Sequence, residues 1–214
     1  MIHQATIRII AALAFVLGVS ACAGTQNQTA SSATTADASQ RAAPVALDIQ
    51  AIRVNVPRTL KVSEKNRYYP GGDIVWRGEP IGDRYQQVTA IFEEAMARGT
   101  AGMDSGVPTV LDVEVKRFHA LTEKTRYTVG GVHALTFVIT LRDPATGQAM
   151  TQPREIKADL KAYGGSQAIA ADQRGQTQRV RITGHLAQVI RAELTEPGSF
   201  HSEGLGLIGM LNTL

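Results

Sequence analysis

A chain of 214 residues that is 43% hydrophobic, 19% charged and 5% aromatic has the makeup of an ordinary globular protein of one domain, with room for an appendage. Its single cysteine excludes an intramolecular disulfide framework and a multi-cysteine zinc site, and its composition excludes collagen-like, coiled-coil and broadly disordered classes. The net charge is only +3, with basic and acidic residues interleaved, so the clustered basic face that nucleic acid requires is missing from the sequence.

Residues 1–21 have the plan of an export signal: Arg8 near the start, an apolar run over 9–19, then small residues. The run is 11 residues long, whereas a helix needs about 20 to cross a bilayer. It fits a signal-peptide core and not a stable span. Val19-Ser20-Ala21-Cys22-Ala23 resembles the bacterial lipobox, in which a branched apolar residue and two small ones precede an obligatory cysteine. That resemblance implies a lipoprotein: Cys22 forms a thioether with a diacylglyceryl group, becomes the mature amino terminus and carries fatty acids of the palmitate class. Each buried CH₂ contributes about 0.8 kcal/mol, so more than one chain gives stable anchoring. An ordinary secretory signal that leaves a free cysteine is the alternative. Ala23 stands where enteric bacteria place an aspartate to retain lipoproteins in the inner membrane, which implies the outer membrane and a body facing the periplasm. Losing Arg8 with the signal leaves 21 basic residues against 19 acidic ones, and no nucleic-acid partner is expected.

Residues 22–43 comprise the lipidated cysteine and an Ala/Ser/Thr/Gln-rich tether with Asp37 and Arg41 as its only charges. Such a segment cannot bury enough surface to offset its chain entropy and is expected to be disordered. As a flexible coil it would reach roughly 25 Å.

The folded body is expected over 44–197. Leu47, Ile49, Ile52, Val54 and Val56 alternate with polar residues but change parity near Gln50 and Ala51, which predicts a strand with a bulge. Leu60 and Val62 could continue the pairing, and 73–77 is a short strand candidate. Asp83 is a good cap for a helix to about Arg98, with Tyr85, Val88, Ile91, Phe92, Ala95 and Met96 in its apolar stripe and Gly99 as a left-handed end. Strands follow over 110–119 and 132–142, then a turn over 143–147, a return strand carrying Ile156, Ala158, Leu160 and Ala162, and a helix from about 176 to 194 that includes Val180. The fold expected is α+β: a mainly antiparallel sheet of four to five strands with two amphipathic helices on one face. A glycine-rich apolar tail, 198–214, would strap the body or a partner.

Chemistry-bearing motifs are few. Gly204, Gly206 and Gly209 spell G-x-G-x-x-G, but no strand–helix unit with a downstream acid can follow them, so the dinucleotide fingerprint is rejected. His119, His133, His185 and His201 are scattered, which favours structural or solvent-exposed roles over metal binding; no metal or cofactor is expected. One window stands out, 68–85, with the only tryptophan and three of the five tyrosines. Tyr68, Tyr69, Asp73, Trp76, Arg77 and Glu79 combine aromatic faces with carboxylate and guanidinium groups, a set suited to a sugar or a peptide. The same residues also suit a packed connection, with Trp76 in the core and Asp83 as a cap. Both readings stand. The spacing of Asp73, Glu79 and Asp83 does not establish a glycosidase pair.

The stretches from Leu60–Val62 through Asp83, and from Thr109 to Gly147, resemble an uncharacterised family of alphaproteobacterial lipoproteins. More distantly, the order of elements and the strand pair VHALTFVITLRDPATGQ are similar to periplasmic lipoproteins of the ABC-transport auxiliary type, which implies a lipid-tethered body assisting an envelope assembly. The expected function is therefore a non-enzymatic, lipid-anchored interaction or assembly module of the cell envelope, auxiliary to a transport complex. A lipoprotein that binds cell-wall glycan through the 68–85 window is the alternative, and a hydrolase is a third reading.

Overall fold

The computed structural model describes residues 45–202. The export signal, Cys22, the tether and most of the 198–214 tail lie outside the described residues. In chain order the elements are β1 (Leu47–Asn55), β2 (Ile74–Val75), α1 (Arg84–Gly99), β3 (Val107–His119), α2 (Glu123–Arg126), β4 (Gly131–Arg142), β5 (Arg154–Lys157), β6 (Leu160–Ala162), α3 (Gly165–Gln173) and α4 (Gln178–Thr195).

The alternation around Ile49 and Ala51 does produce a bulge: β1 runs parallel to β3, and its register shifts between these two residues. Parallel neighbours cannot be joined by a tight turn, so α1 lies in the connection between them. On the same edge of β3, β2 pairs in parallel with Phe118 and His119, and Val62 forms a bridge to Ile74. The other edge of β3 pairs antiparallel with β4, from Val110 opposite Arg142 to His119 opposite Ala134. Here too the register shifts, because Lys116 has no partner between Val115 and Arg117. Residues 111, 113 and 115 point into the core before this bulge, and Phe118 does so after it.

The sheet is thus mixed and six-stranded, not mainly antiparallel with four to five strands, and four helices accompany it. Alternation identifies a strand but carries no direction, and the run of three strands after α1 suggested a meander. The expected return strand is divided in two. β5 and β6 both pair with β4, and between them the Asp159 carboxylate accepts from Leu135 N at 3.0 Å where a backbone carbonyl would otherwise stand. The helices α2 and α3 were not anticipated. The first is a single turn capped by Thr122, and the second is an alanine-rich segment that buries little beyond Ala168 and Ala171.

Two of the four helices form the cover expected. Asp83 caps α1, its carboxylate accepting from Tyr85 N at 2.9 Å and Gln86 N at 3.1 Å. Val88, Ile91, Phe92, Ala95 and Met96 are buried as expected, whereas Tyr85 is only partly buried, its hydroxyl donating to Leu60 O at 2.7 Å. Thr177 caps α4, which places Val180 in the first turn at 42% exposure, and the buried stripe begins at Ile182 instead. Three ring contacts join these layers: Trp76 to Phe118 at 5.6 Å, Phe118 to Phe92 at 6.2 Å, and Phe92 to Phe137 at 5.4 Å. All are edge-on, the arrangement that aromatic quadrupoles favour. The described start of the tail folds back on α4, where the buried Glu193 carboxylate accepts from Gly198 N at 3.1 Å and Phe200 N at 3.2 Å and pairs with Arg154.

Gly99 has a role other than the one expected. It is the last helical residue of α1, and the cap is Thr100 at φ −94°. A Cβ at position 99 would come within 2.2 Å of Ile190 Cγ2 and 2.6 Å of Ala187 O, so the glycine lets α1 and α4 touch. Helix propensity alone would favour alanine by about 1 kcal/mol, whereas overpacking costs about 1–3 kcal/mol. Gly99→Ala is therefore expected to lower stability in urea unfolding. A gain in stability would show that the helix pair relaxes freely.

Candidate functional site: an apolar cleft beside Tyr68 and Tyr69

The 68–85 window divides according to the chemistry of its side chains. Trp76 is fully buried and offers no face to a ligand; an indole that size stabilises the fold far more in the core than on the surface. Asp73 is occupied locally, accepting from Lys61 N at 2.8 Å. Arg77 donates to Glu64 O at 2.8 Å and pairs with Glu123. Glu79 pairs with Arg179, which also reaches Glu94 at 3.1 Å. The buried Arg84 holds both Glu64 oxygens, at 2.6 and 3.0 Å, and this hydrogen bonding keeps the Glu64 carboxyl below its ordinary range. Of the six contacts expected from sequence, Asp73, Trp76, Arg77 and Glu79 are thus engaged within the fold. Tyr68 and Tyr69 remain available, at 41% and 68% exposure.

These two tyrosines border a cleft of about 470 Å³. One wall is the Tyr68–Pro70 loop. The other comes from the end of β3, the α2 loop and the start of β4, with His119, Leu121, Val129 and Gly131. The walls are tied together by Thr122 Oγ1 donating to Arg67 O at 2.9 Å, Ser63 Oγ to Pro70 O at 3.0 Å, and Lys124 N to Asn66 Oδ1 at 2.9 Å. Gly130 closes one end at φ +72°, where a Cβ would stand 2.9 Å from Gly164 Cα. A left-handed backbone and direct backbone contact together require glycine there. Nothing local in the sequence marks the second wall, which meets Tyr68 only after about fifty residues of chain have folded.

The lining is apolar and uncharged. Burial, and then the charge of Arg117, push the His119 imidazole down to about 4, so it is neutral at physiological pH. Its Nδ1 is shielded from water and has no hydrogen-bond partner among the described residues. Behind it, His133 is pushed down to about 3, chiefly by burial, and its Nδ1 accepts from Leu121 N at 3.3 Å. At the rim, Lys124 Nζ lies 4.8 Å from the Tyr68 ring centroid, a cation–π contact. Among the described residues no group of three or more His, Cys, Asp or Glu is placed to hold a metal ion, and no helix is long and apolar enough to cross a membrane.

The two depressed imidazoles make stability depend on pH. Below the ordinary value of 6.5 the unfolded chain takes up protons that the folded chain refuses. Stability therefore rises with pH through this range and falls on acidification. Between pH 6.5 and the ordinary glutamate value of 4.5 the effect comes chiefly from histidine, the lowered carboxylates joining as pH nears 4.5. Thermal melts should show Tm falling as pH is lowered across that window, a stability loss of about a few kcal/mol. A level Tm would contradict neutral buried imidazoles.

No curated protein matches the chain. Among solved structures it is similar to a candidate lipoprotein from Caulobacter crescentus CB15, at 15% identity over 67% of this chain and 87% of that one, with a TM-score of 0.36. It is also similar to protein XCC0632 from Xanthomonas campestris, of the DUF330 family model, at 12% identity over 71% and 87% with a TM-score of 0.39. A PelC dodecamer from Paraburkholderia phytofirmans is similar at 12% identity over 70% and 91% with a TM-score of 0.33. A family model matches residues 47–210, nearly the whole body, and by that match the chain belongs to a family of unknown function, DUF6778.

Proposed function

We propose that this chain is a lipid-anchored protein of the bacterial cell envelope that acts as a non-enzymatic binding module auxiliary to a larger envelope assembly. Anchoring rests on Cys22 and its lipobox-like setting, with the outer membrane favoured by Ala23. The observation that carries the binding role is the makeup of the cleft. Its walls are apolar, its one imidazole is held neutral, and the carboxylates of the neighbouring window are neutralised by arginines or used as backbone acceptors. Acid–base catalysis needs a group poised near the working pH with access to a substrate. Recognition needs shape, apolar surface and a few polar groups, which the cleft has.

The glycan alternative keeps Tyr68 and Tyr69 as stacking surfaces but loses the indole and the planar polar groups that would have fixed a sugar. Fractionation and crosslinking of membranes test the two readings. The wild-type chain should remain with membranes and bring down envelope proteins in stoichiometric amounts, while Cys22→Ser should move to the soluble periplasmic fraction. Unchanged membrane retention of Cys22→Ser would sink the anchor. Retention on purified peptidoglycan, lost in Tyr69→Ala, would favour glycan binding instead.

A further inference from the structure

We propose that the cleft beside Tyr68 and Tyr69 receives the acyl chain of an anionic amphiphile, with the alkyl tail between the tyrosine loop and Val129 and the anionic head at Arg67 and Lys124. The inference deepens the binding role proposed above and rests on the cleft being the recognition surface.

Three observations select this ligand. First, the cleft has the capacity of a small-molecule site: its volume of about 470 Å³ lies within the usual range of roughly 300–1,000 Å³. Second, its interior has little to offer polar groups. The Thr122 and Thr125 hydroxyls lie 3.1 Å from one another and both donate to Arg67 O, at 2.9 and 3.4 Å. A peptide strand would carry many N–H and C=O groups into a space with few polar atoms besides the His119 Nδ1 to pair them, at a cost of about 1–3 kcal/mol for each one left unmet. An alkyl chain has no such groups, and each CH₂ that leaves water contributes about 0.8 kcal/mol. A charged group could not enter the interior for the same reason.

Third, two cations next to Tyr68 are free of carboxylates, unlike the arginines around them. Arg77, Arg84, Arg126 and Arg179 all face carboxylates. Arg67 and Lys124 are exposed and have no carboxylate partner among the described residues. Both adjoin Tyr68, which lines the cleft: Arg67 directly precedes it in the chain, and Lys124 Nζ lies over its ring. A largely apolar slot with two such cations beside its tyrosine wall complements a molecule with one alkyl chain and one anionic head.

The test uses the full chain with Cys22→Ser, so that no anchor of its own competes and no detergent is needed. Dodecanoate, dodecanol and dodecylamine, which share a chain and differ in head charge, are titrated below their micelle thresholds by displacement of a fluorescent fatty acid. Dodecanoate should bind most tightly and dodecylamine least. Val129→Asp should weaken dodecanoate at least tenfold with an unchanged melting profile, because Val129 is 74% exposed and bears little on the core. The double variant Arg67→Glu, Lys124→Glu should bring dodecanoate down to the level of dodecanol. Absence of dodecanoate binding, equal binding by Val129→Asp, or tighter binding of a short apolar peptide would each overturn the proposal, and equal affinity for the three heads would overturn the role of Arg67 and Lys124. The anchor does not enter this assay. Failure here while Cys22→Ser still leaves the membrane would remove the ligand and keep the anchor, and the converse pair of results would do the reverse.

Discussion

Four aromatic rings from four parts of the chain meet inside this protein, and their packing sets where everything else can lie. Phe118 from β3 touches Trp76, which follows β2, and Phe92 of α1, while Phe92 also reaches Phe137 of β4. Each ring buries on the order of 150–250 Å², so the cluster ties helix, sheet and connecting loop into one core. Drawing Trp76 inward brings the backbone before it against the end of β3, where Phe118 N donates to Asp73 O and Ala120 N to Val75 O, both at 2.9 Å. The residues before that contact are left at the surface. Tyr68 and Tyr69 sit beside His119 because the chain a few residues on is pinned to the end of β3.

The ion pairs around this junction orient more than they stabilise. Most are partly exposed, and such pairs are worth about 0–1 kcal/mol. Arg84 is the exception on one side only: its guanidinium is buried, but its partner Glu64 is 42% exposed. Solvent screening at Glu64, and the Glu79 and Pro80 carbonyls that also accept from Arg84, hold the cost of breaking the pair below the roughly 3–5 kcal/mol of a fully buried one. Glu64 also faces Arg77, and Arg77 faces Glu123 at the start of α2. The same small network thus fixes the loop before the tyrosines and the turn that forms the opposite wall of the cleft.

How much of this was legible in the sequence follows from the range of each interaction. The Asp83 cap, the stripe of α1, the bulge in β1 and the strands β3 and β4 are written in neighbouring residues, and local periodicity revealed them. The parallel direction of β1 is not local, since it is set by the connection through α1. Trp76 was ambiguous because an aromatic residue among carboxylates and arginines has the same composition in a binding face and in a packed connection. Gly99 looked like a helix end because its true reason, contact with Ala187 and Ile190, lies about ninety residues away. The cleft is hidden for the same reason: tyrosines mark one wall, while the other is a histidine among commonplace threonine, alanine, leucine, valine and glycine brought up by the fold. Cys22 was the most legible candidate, since the lipobox-like setting that marks it is a run of adjacent residues.

The unpaired Lys116 in β3 carries a consequence for how this chain can drift. Its side chain is exposed and pairs with Glu114 on the same strand, so replacing it disturbs little. Lys116 and Arg117 together fill the outward step between two inward residues, Val115 and Phe118. A one-residue deletion there would restore plain alternation and leave Phe118 in the aromatic cluster, whereas straightening the strand with Lys116 still in place would turn Phe118 out and His119 in. Position 116 is thus free in its side chain and even in its presence: what cannot be lost while it stays is the bulge that sets it aside.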